Sequence, residues 1–87
     1  MKFVLSSHAE SQIKERKLSL KHLESVISKP DEIVETSRSG RQIMQKVIGI
    51  GGKKFLFRAI CMKDPGGLLV ITFYRTSKIK KYLGREQ

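Results

Sequence analysis

The spacing of apolar residues changes at Pro30, and this change constrains the fold of the 87-residue chain more than any other feature. Before Pro30 the apolar residues recur at helical spacing, as in Leu20, Leu23, Val26 and Ile27. After it they alternate with the two-residue period of a strand, as in Phe55, Phe57, Ala59 and Cys61. Helices confined to the start of the chain can cover only one face of the sheet that follows. The pattern therefore predicts an α+β domain whose other sheet face is at least partly open.

Local signals set the limits of two predicted helices. Ser7 and Glu10 stand at capping-box spacing, in which a hydroxyl and a carboxylate bind the free amides of a helix start. This pair predicts a first helix over residues 7–17. A second helix over residues 19–28 begins at a serine N-cap candidate and ends before Pro30, which cannot continue a helix. The two helices are expected to form a tight hairpin with one shared apolar face.

The predicted strands are separated by residues typical of turns. Strands are expected at residues 2–5, 32–36, 42–50, 53–62 and 68–75, and a short helical tail at 77–83. Gly51-Gly52 is typical of a two-residue hairpin turn, and residues 64–67 also have strong turn chemistry. The last strand has two faces, and the sequence does not decide which of them enters the core. One face carries Leu69, Ile71 and Phe73, and the other carries Leu68, Val70, Thr72 and Tyr74.

These elements predict a single α+β domain over residues 1–87. An amino-terminal strand and a helical hairpin would pack on one face of a twisted sheet of three to four antiparallel strands, with a short carboxy-terminal helix. A chain of this length supports one hydrophobic core and has a thin stability margin. A homodimer or a bound partner would widen that margin, so both are retained as alternatives.

The positive charge is concentrated in the second part of the chain. Residues 1–35 carry six Lys or Arg and six Asp or Glu, whereas residues 36–87 carry twelve and two, which accounts for the whole net charge of +10. A polyanion partner, most commonly nucleic acid, explains such a division. An anionic membrane surface, an acidic protein or a solvated basic face are the alternatives. No apolar run of about 18 residues that could span a membrane occurs, and a cytoplasmic protein is expected.

The sequence offers no support for a metal site, a cofactor or a protein nucleophile. His8, His22 and Cys61 are scattered, and the spacings typical of zinc, calcium and phosphate-loop sites are absent. No serine or cysteine lies in a nucleophile elbow. Cys61 is interpreted as a small buried hydrophobe, with a reactive thiol as the minor alternative.

Cleavage of RNA requires neither a metal nor a protein nucleophile, because the ribose 2′-hydroxyl attacks its own phosphodiester. The protein supplies a base, an acid and positive charge for the transition state. Side chains of the required types are His8, Arg16, Arg58, Thr72, Tyr74, Arg75, Lys78 and Lys81. Each also has a structural alternative: a surface histidine, a helix-face salt bridge for Arg16, packing of Tyr74 at a sheet end, and solvated lysines.

Several segments resemble a widespread family of small bacterial proteins. His8-Ala9, residues 15–19 (ERKLS) and residues 26–33 (VISKPDEI) are similar to its amino-terminal half. Residues 69–82 (LVITFYRTSKIKKY) match its ending closely. That family is grouped with the RelE/ParE-type toxins and, more distantly, with barnase-like and colicin-type nucleases.

The resemblance implies a RelE-like fold and a metal-independent endoribonuclease of a toxin–antitoxin system, acting on messenger RNA free or on the ribosome. An antitoxin protein would cover its basic face. His8 would be the base or acid, Arg16 and Lys81 would hold the phosphate, and Thr72 and Tyr74 would orient the ribose or base. Further RNA contacts are expected on the grounds of charge and position, and not of the motif, at Arg58, Arg75, Lys78 and Lys80.

The chain also departs from the toxins that it resembles. RelE-type toxins usually carry a denser basic and aromatic set near the carboxy terminus, and ParE-type members act on gyrase instead of RNA. Two alternatives therefore stand beside the ribonuclease hypothesis. One is a non-catalytic module that binds RNA or protein, and the other is an inhibitor of gyrase.

Overall fold

The computed structural model describes residues 3–36 and 40–82, which form an α+β arrangement of a five-stranded mixed sheet and three helices. The elements are, in chain order, β1 (Phe3–Leu5), α1 (Ser7–Glu15), α2 (Leu20–Ser28), β2 (Glu32–Glu35), β3 (Arg41–Ile50), β4 (Lys53–Asp64), β5 (Gly67–Thr76) and α3 (Ile79–Tyr82). The expected helical hairpin, the strands after Pro30 and the short helix near the carboxy terminus are all present. The end of the expected tail, residue 83, lies outside the described residues.

Two serine hydroxyls cap the helices, but one is not the serine that the sequence predicts. Ser19 caps α2 as expected, its Oγ accepting from Lys21 N at 3.1 Å. The N-cap of α1 is Ser6, whose Oγ accepts from Ala9 N at 3.0 Å. Ser7 is instead the first helical residue, because the extended backbone of β1 continues through Ser6 (φ −72°, ψ 164°). α1 ends at Glu15, and the turn that follows includes Lys17 at a φ of 53°.

The strands lie in the order β1-β5-β4-β3-β2. β2 to β5 are antiparallel neighbours, and the Gly51-Gly52 turn joins β3 to β4 with both glycines at positive φ, as the sequence predicts. The sheet differs from the expected three to four antiparallel strands because β1 joins it in parallel beside β5, with Leu5 opposite Val70. The two helices lie between β1 and β2 in sequence and cross one face, so β1 and β2 occupy opposite edges.

The hydrophobic core lies between the helices and one face of the sheet. Its buried residues are Ala9, Leu23, Val26 and Ile27 from the helices, and Met44, Phe57, Ala59, Cys61, Leu68, Val70 and Phe73 from the strands. The alternation predicted for β4 is confirmed, since Phe57, Ala59 and Cys61 are buried and Phe55 packs against them. Helix α1 lies mainly on β5, and α2 lies on β4 and β3.

An irregularity in the pairing of β4 with β5 decides which side chains of β5 enter the core. Ala59 is opposite Phe73, whereas Cys61 is opposite Val70, so β5 contains one extra residue between these pairs. Val70 and Phe73 therefore both face the helices. Neither of the two sets expected from strict alternation is correct along the whole strand, because the bulge changes the face of β5 partway.

Ser6 and Gln12 complete the hydrogen bonding of β5 where β1 ends. Ser6 N donates to Val70 O at 2.9 Å, and Ser6 Oγ donates to Ile71 O at 2.9 Å. Two residues further along, Phe73 N donates to the buried Gln12 Oε1 at 2.9 Å. These contacts fix the helix layer to one face of β5.

Candidate functional site

The sheet face turned away from α1 and α2 is here called the outer face. Its side chains come from alternate positions of the three long strands: Arg41, Ile43, Gln45 and Val47 on β3, Lys54, Leu56, Arg58, Ile60 and Met62 on β4, and Thr72, Tyr74 and Thr76 on β5. This face combines basic, hydroxyl and apolar groups, whereas the helix-side face is mostly apolar core. It is therefore the face with side chains suited to a polar ligand.

A row of four polar side chains crosses the outer face from β2 to β5. Glu32, Gln45, Arg58 and Tyr74 stand directly opposite one another in successive strands. We call these four residues the polar row. Gln45 Nε2 donates to Glu32 Oε1 at 2.7 Å, and Arg58 Nε donates to Gln45 Oε1 at 2.8 Å. Arg58 Nη1 donates to the Tyr74 hydroxyl at 2.5 Å, and the guanidinium carbon lies 5.8 Å from the ring centroid.

The centre of the polar row is withdrawn from solvent. Gln45 is 0% exposed, and Glu32, Arg58 and Tyr74 are partly buried. Among the described residues no buried side-chain nitrogen or oxygen lacks a hydrogen-bond partner. Because a buried polar group without a partner is costly, these three hydrogen bonds favour one arrangement of the row. Arg58 and Tyr74 are thus fixed in position before any ligand arrives.

Sequence reasoning found Arg58 and Tyr74 but missed Glu32 and Gln45. Gln45 lies between Met44 and Lys46 in a strand, and its type alone does not distinguish an exposed amide from a buried one. The pairing of Glu32 with Gln45, and of Gln45 with Arg58, depends on the register of three strands. The only local signal was a polar residue in the middle of a long β strand.

The structure brings several of the other expected residues to the same face or beside it. Thr72 lies on β5 opposite Ile60, on the outer face with Tyr74. Lys78 lies two residues after the end of β5, and its backbone N–H donates to Thr76 Oγ1 at 3.1 Å. Lys80 and Lys81 are exposed on α3. Lysines after the end of β5 therefore extend the positive charge beyond the strand that carries Thr72 and Tyr74.

Three expected residues lie elsewhere. Arg75 is on the helix-side face of β5, opposite Phe57, with its guanidinium carbon 4.5 Å from the centroid of the Phe55 ring. His8 is exposed in the first turn of α1, and Arg16 is exposed at the C-cap of that helix. Helix α1 packs beside β1 and β5 on the other side of the sheet, so neither residue belongs to the polar row. Among the described residues, the structure thus separates the expected site into two layers.

The remaining histidine and the cysteine have packing roles. The ring of His22 is half-buried against Phe57, with 5.0 Å between the ring centroids. Cys61 is fully buried in the core, and this burial raises the pKa of its thiol from 9.0 to about 11. A thiol with a raised pKa and no access to solvent is a poor nucleophile. The interpretation of Cys61 as a small buried hydrophobe agrees with this environment.

Within residues 3–36 and 40–82, no group of three or more His, Cys, Asp or Glu side chains is arranged to hold a metal ion. No helix in the same part of the chain is long and apolar enough to cross a membrane. One cavity of about 230 Å³ lies at the β2–β3 end and is lined by Glu35, Thr36, Gly40, Arg41, Gln42 and Lys63. Another, of about 310 Å³, is lined by Phe3, Glu24, Ile27 and Ser28. Neither includes a member of the polar row.

Comparison with known proteins finds no family model, no curated protein and no solved structure that matches this chain.

Proposed function

We propose that the protein is a toxin-like ribonuclease that binds RNA on its outer face and cleaves it without a metal ion. The observation that carries the proposal is the polar row, which holds the Arg58 guanidinium against the Tyr74 hydroxyl. This pair lies in the part of the chain that carries the whole net charge of +10. A polyanion is the natural ligand of such a surface, and RNA supplies its own nucleophile in the 2′-hydroxyl.

The chemistry assigned to the site needs only charge and proton transfer. As the 2′-hydroxyl attacks the phosphodiester, it would give its proton to a solvent water. A new P–O2′ bond forms, negative charge grows on the phosphate oxygens, and Arg58 would stabilise that charge until the P–O5′ bond breaks. The Tyr74 hydroxyl would give a proton to the departing 5′ oxygen, acting as a general acid. Thr72, on the same face of β5, would hydrogen bond to the ribose or phosphate. The exposed Lys78, Lys80 and Lys81 would bind neighbouring phosphates.

This proposal moves the acid–base role away from His8. The family resemblance assigned that role to His8, with Arg16 as a phosphate ligand, but both lie on the helix layer, away from the polar row. Tyr74 and Arg58 are already in contact, so they are the better pair for a reaction at one phosphate. Messenger RNA, free or on the ribosome in the cytoplasm, is the proposed substrate. The proposed antitoxin would silence the protein by covering the outer face.

The test is an RNA cleavage assay in EDTA, with total bacterial RNA and with translating ribosomes. We expect the wild type to cut RNA and Tyr74→Phe to lose roughly 10²–10⁴-fold in rate, the usual contribution of an acid–base group. His8→Ala is the matched control, since it removes a titratable group from the other layer, and it should cut like the wild type. Loss of cleavage in His8→Ala with retention in Tyr74→Phe would return the acid–base role to His8.

A second candidate function is RNA binding without cleavage. The observation that favours it is that Arg58 Nε and Nη1 both donate within the polar row, to Gln45 and to Tyr74. This arrangement suits a rigid binding surface as well as a reactive one. Such a module would bind RNA with a steep dependence on salt, because bound phosphates release counterions. Intact RNA in the cleavage assay, together with salt-sensitive binding by the wild type, would select this function.

A further inference from the structure

We propose that Glu32 and Gln45 are positioning residues: they hold Arg58 in the polar row, and Arg58 in turn makes the Tyr74 hydroxyl a donor to a phosphate oxygen. The inference about the row stands on the hydrogen-bond geometry alone. The identity of the ligand, RNA, rests on the function proposed above. Glu32 and Gln45 would then contribute to ligand binding without touching the ligand.

The orientation of the Gln45 amide is set by Glu32. An ionised carboxylate can only accept hydrogen bonds, so the Gln45 group that lies 2.7 Å from Glu32 Oε1 must be the amide nitrogen. The Gln45 oxygen is consequently directed the other way, toward Arg58, whose Nε donates to it at 2.8 Å. Glu32 therefore determines which end of the Gln45 amide faces Arg58.

Burial prevents the amide from taking the opposite orientation. With its ends exchanged, Gln45 would place its oxygen against the Glu32 carboxylate and its NH₂ group against the N–H of Arg58. Both contacts would be repulsive, and Gln45 is 0% exposed, so water cannot relieve them. One orientation is thus strongly preferred, and the position of Arg58 follows from it.

Arg58 donates to both of its neighbours in the row, Gln45 on one side and Tyr74 on the other. A guanidinium has only donors, so in the contact between Arg58 Nη1 and Tyr74 the hydroxyl oxygen is the acceptor. The hydrogen of the Tyr74 hydroxyl must then be directed away from Arg58. An anionic oxygen, such as a phosphate oxygen of RNA, can accept this hydrogen and is also attracted by the neighbouring guanidinium. The polar row is therefore arranged for an acceptor ligand at its Tyr74 end.

A second Glu–Gln pair on the same two strands provides a matched control. Gln42 Nε2 donates to Glu35 Oε2 at 3.3 Å, and this pair also stands directly opposite across β2 and β3. This hydrogen bond is in an exposed environment, and the register places Cys61, not an arginine, opposite Gln42. Glu35→Gln makes the same chemical change as Glu32→Gln without affecting Arg58.

The first experiment follows the Nε–H signal of Arg58 by nitrogen-15 NMR. In the wild type this hydrogen is bonded to a buried amide, so we expect slow exchange with water. In Glu32→Gln the neighbouring amide no longer fixes the direction of Gln45, and we expect faster exchange. Glu35→Gln should leave the signal unchanged. Circular dichroism of each variant checks that the fold is retained.

The second experiment measures binding of a short fluorescein-labelled 2′-O-methyl RNA, which cannot be cut because its 2′ oxygen is blocked. Removing a negative charge from a basic protein should strengthen binding to a polyanion by simple electrostatics. The positioning role predicts the opposite for Glu32→Gln, a weakening of about tenfold, the size expected for one lost charge-assisted hydrogen bond. Glu35→Gln should bind as tightly as the wild type or slightly more tightly.

The exchanged double variant Glu32→Gln/Gln45→Glu tests rescue. Its position 32 amide can donate to the position 45 carboxylate, which can still accept from Arg58, and the net charge equals that of the wild type. We expect it to recover slow Nε–H exchange and most of the RNA affinity. Glu32→Gln with slow exchange and unweakened RNA binding would overturn the positioning role. Loss of slow Nε–H exchange in Glu32→Gln, combined with no RNA binding by the wild type, would overturn the proposed function and leave the positioning of Arg58 by Glu32 and Gln45 established.

Discussion

Replacing Gln12 with methionine should destabilise the protein, because Gln12 supplies the hydrogen bond that β1 does not provide. β1 is only three residues long and its pairing with β5 ends at Val70. Beyond that point the buried Gln12 Oε1 accepts from Phe73 N at 2.9 Å. Methionine has a similar length and no strong acceptor, so it would fill the space and leave the Phe73 amide without a partner.

The expected loss follows from the cost of a buried unpaired amide, about 1–3 kcal/mol. For a domain of this size, 1 kcal/mol corresponds to a change in Tm of roughly 4–8 °C, so a shift of at least about 4 °C is expected. Urea unfolding followed by circular dichroism measures the free energy, and hydrogen exchange should show faster exchange at the Phe73 amide.

The matched control is Gln42→Met, which removes a partly buried glutamine whose bond to Glu35 lies at the surface. It should change the free energy of unfolding by less than about 0.5 kcal/mol. Equal stability of Gln12→Met and the wild type, with unchanged exchange at Phe73, would refute the argument that α1 completes the edge of β5.

Two further predictions concern the helix cap and the core thiol. Ser6→Ala removes both the N-cap of α1 and the bond to Ile71 O, so it should cost about 1–3 kcal/mol in urea unfolding, whereas Ser7→Ala should be nearly neutral. If Ser7→Ala proved the more damaging of the two, the assignment of the cap would be wrong. Burial raises the pKa of the Cys61 thiol to about 11 from 9.0, so ionisation favours the unfolded chain. The associated stability is present below pH 9 and is lost as the pH rises toward 11, and Cys61→Ala should remove this part of the alkaline destabilisation in pH-dependent unfolding.

The sequence was informative where structure is set by neighbouring residues. Ser19 and Pro30 predicted the limits of α2, and Gly51-Gly52 predicted the β3–β4 hairpin. The alternation of apolar residues in β4 predicted its core face, including Phe57. Each of these signals is local, because a cap, a tight turn and a strand face depend on residues only a few positions apart.

The sequence was not informative where structure depends on contacts between distant segments. The three residues of β1 cannot indicate that they pair in parallel with β5, more than sixty positions away. The bulge between Val70 and Phe73 has no sequence mark, and it decides that Thr72 and Tyr74 leave the core. The polar row likewise required the register of β2, β3, β4 and β5 before Glu32 and Gln45 could be placed beside Arg58.

For the same reason, the candidate site was predicted only in part. Arg58, Thr72 and Tyr74 were selected by residue type and charge, and their common face emerged from the strand register. His8 and Arg16 were selected with them by residue type, and the family resemblance, which carries no distances, also grouped these two with Thr72 and Tyr74. The structure places these two on the helix layer. Residue type can suggest the members of a site, but only the topology shows which of them can act together.

The most direct test of the central claim is an NMR titration of the uniformly nitrogen-15-labelled protein with the 2′-O-methyl RNA. If the outer face is the RNA site, the largest shifts will occur at Arg58, Thr72 and Tyr74 and at the lysines that follow β5, with His8 and Arg16 nearly unchanged. Shifts concentrated on α1, with the polar row unaffected, would contradict the claim and place the ligand on the helix layer.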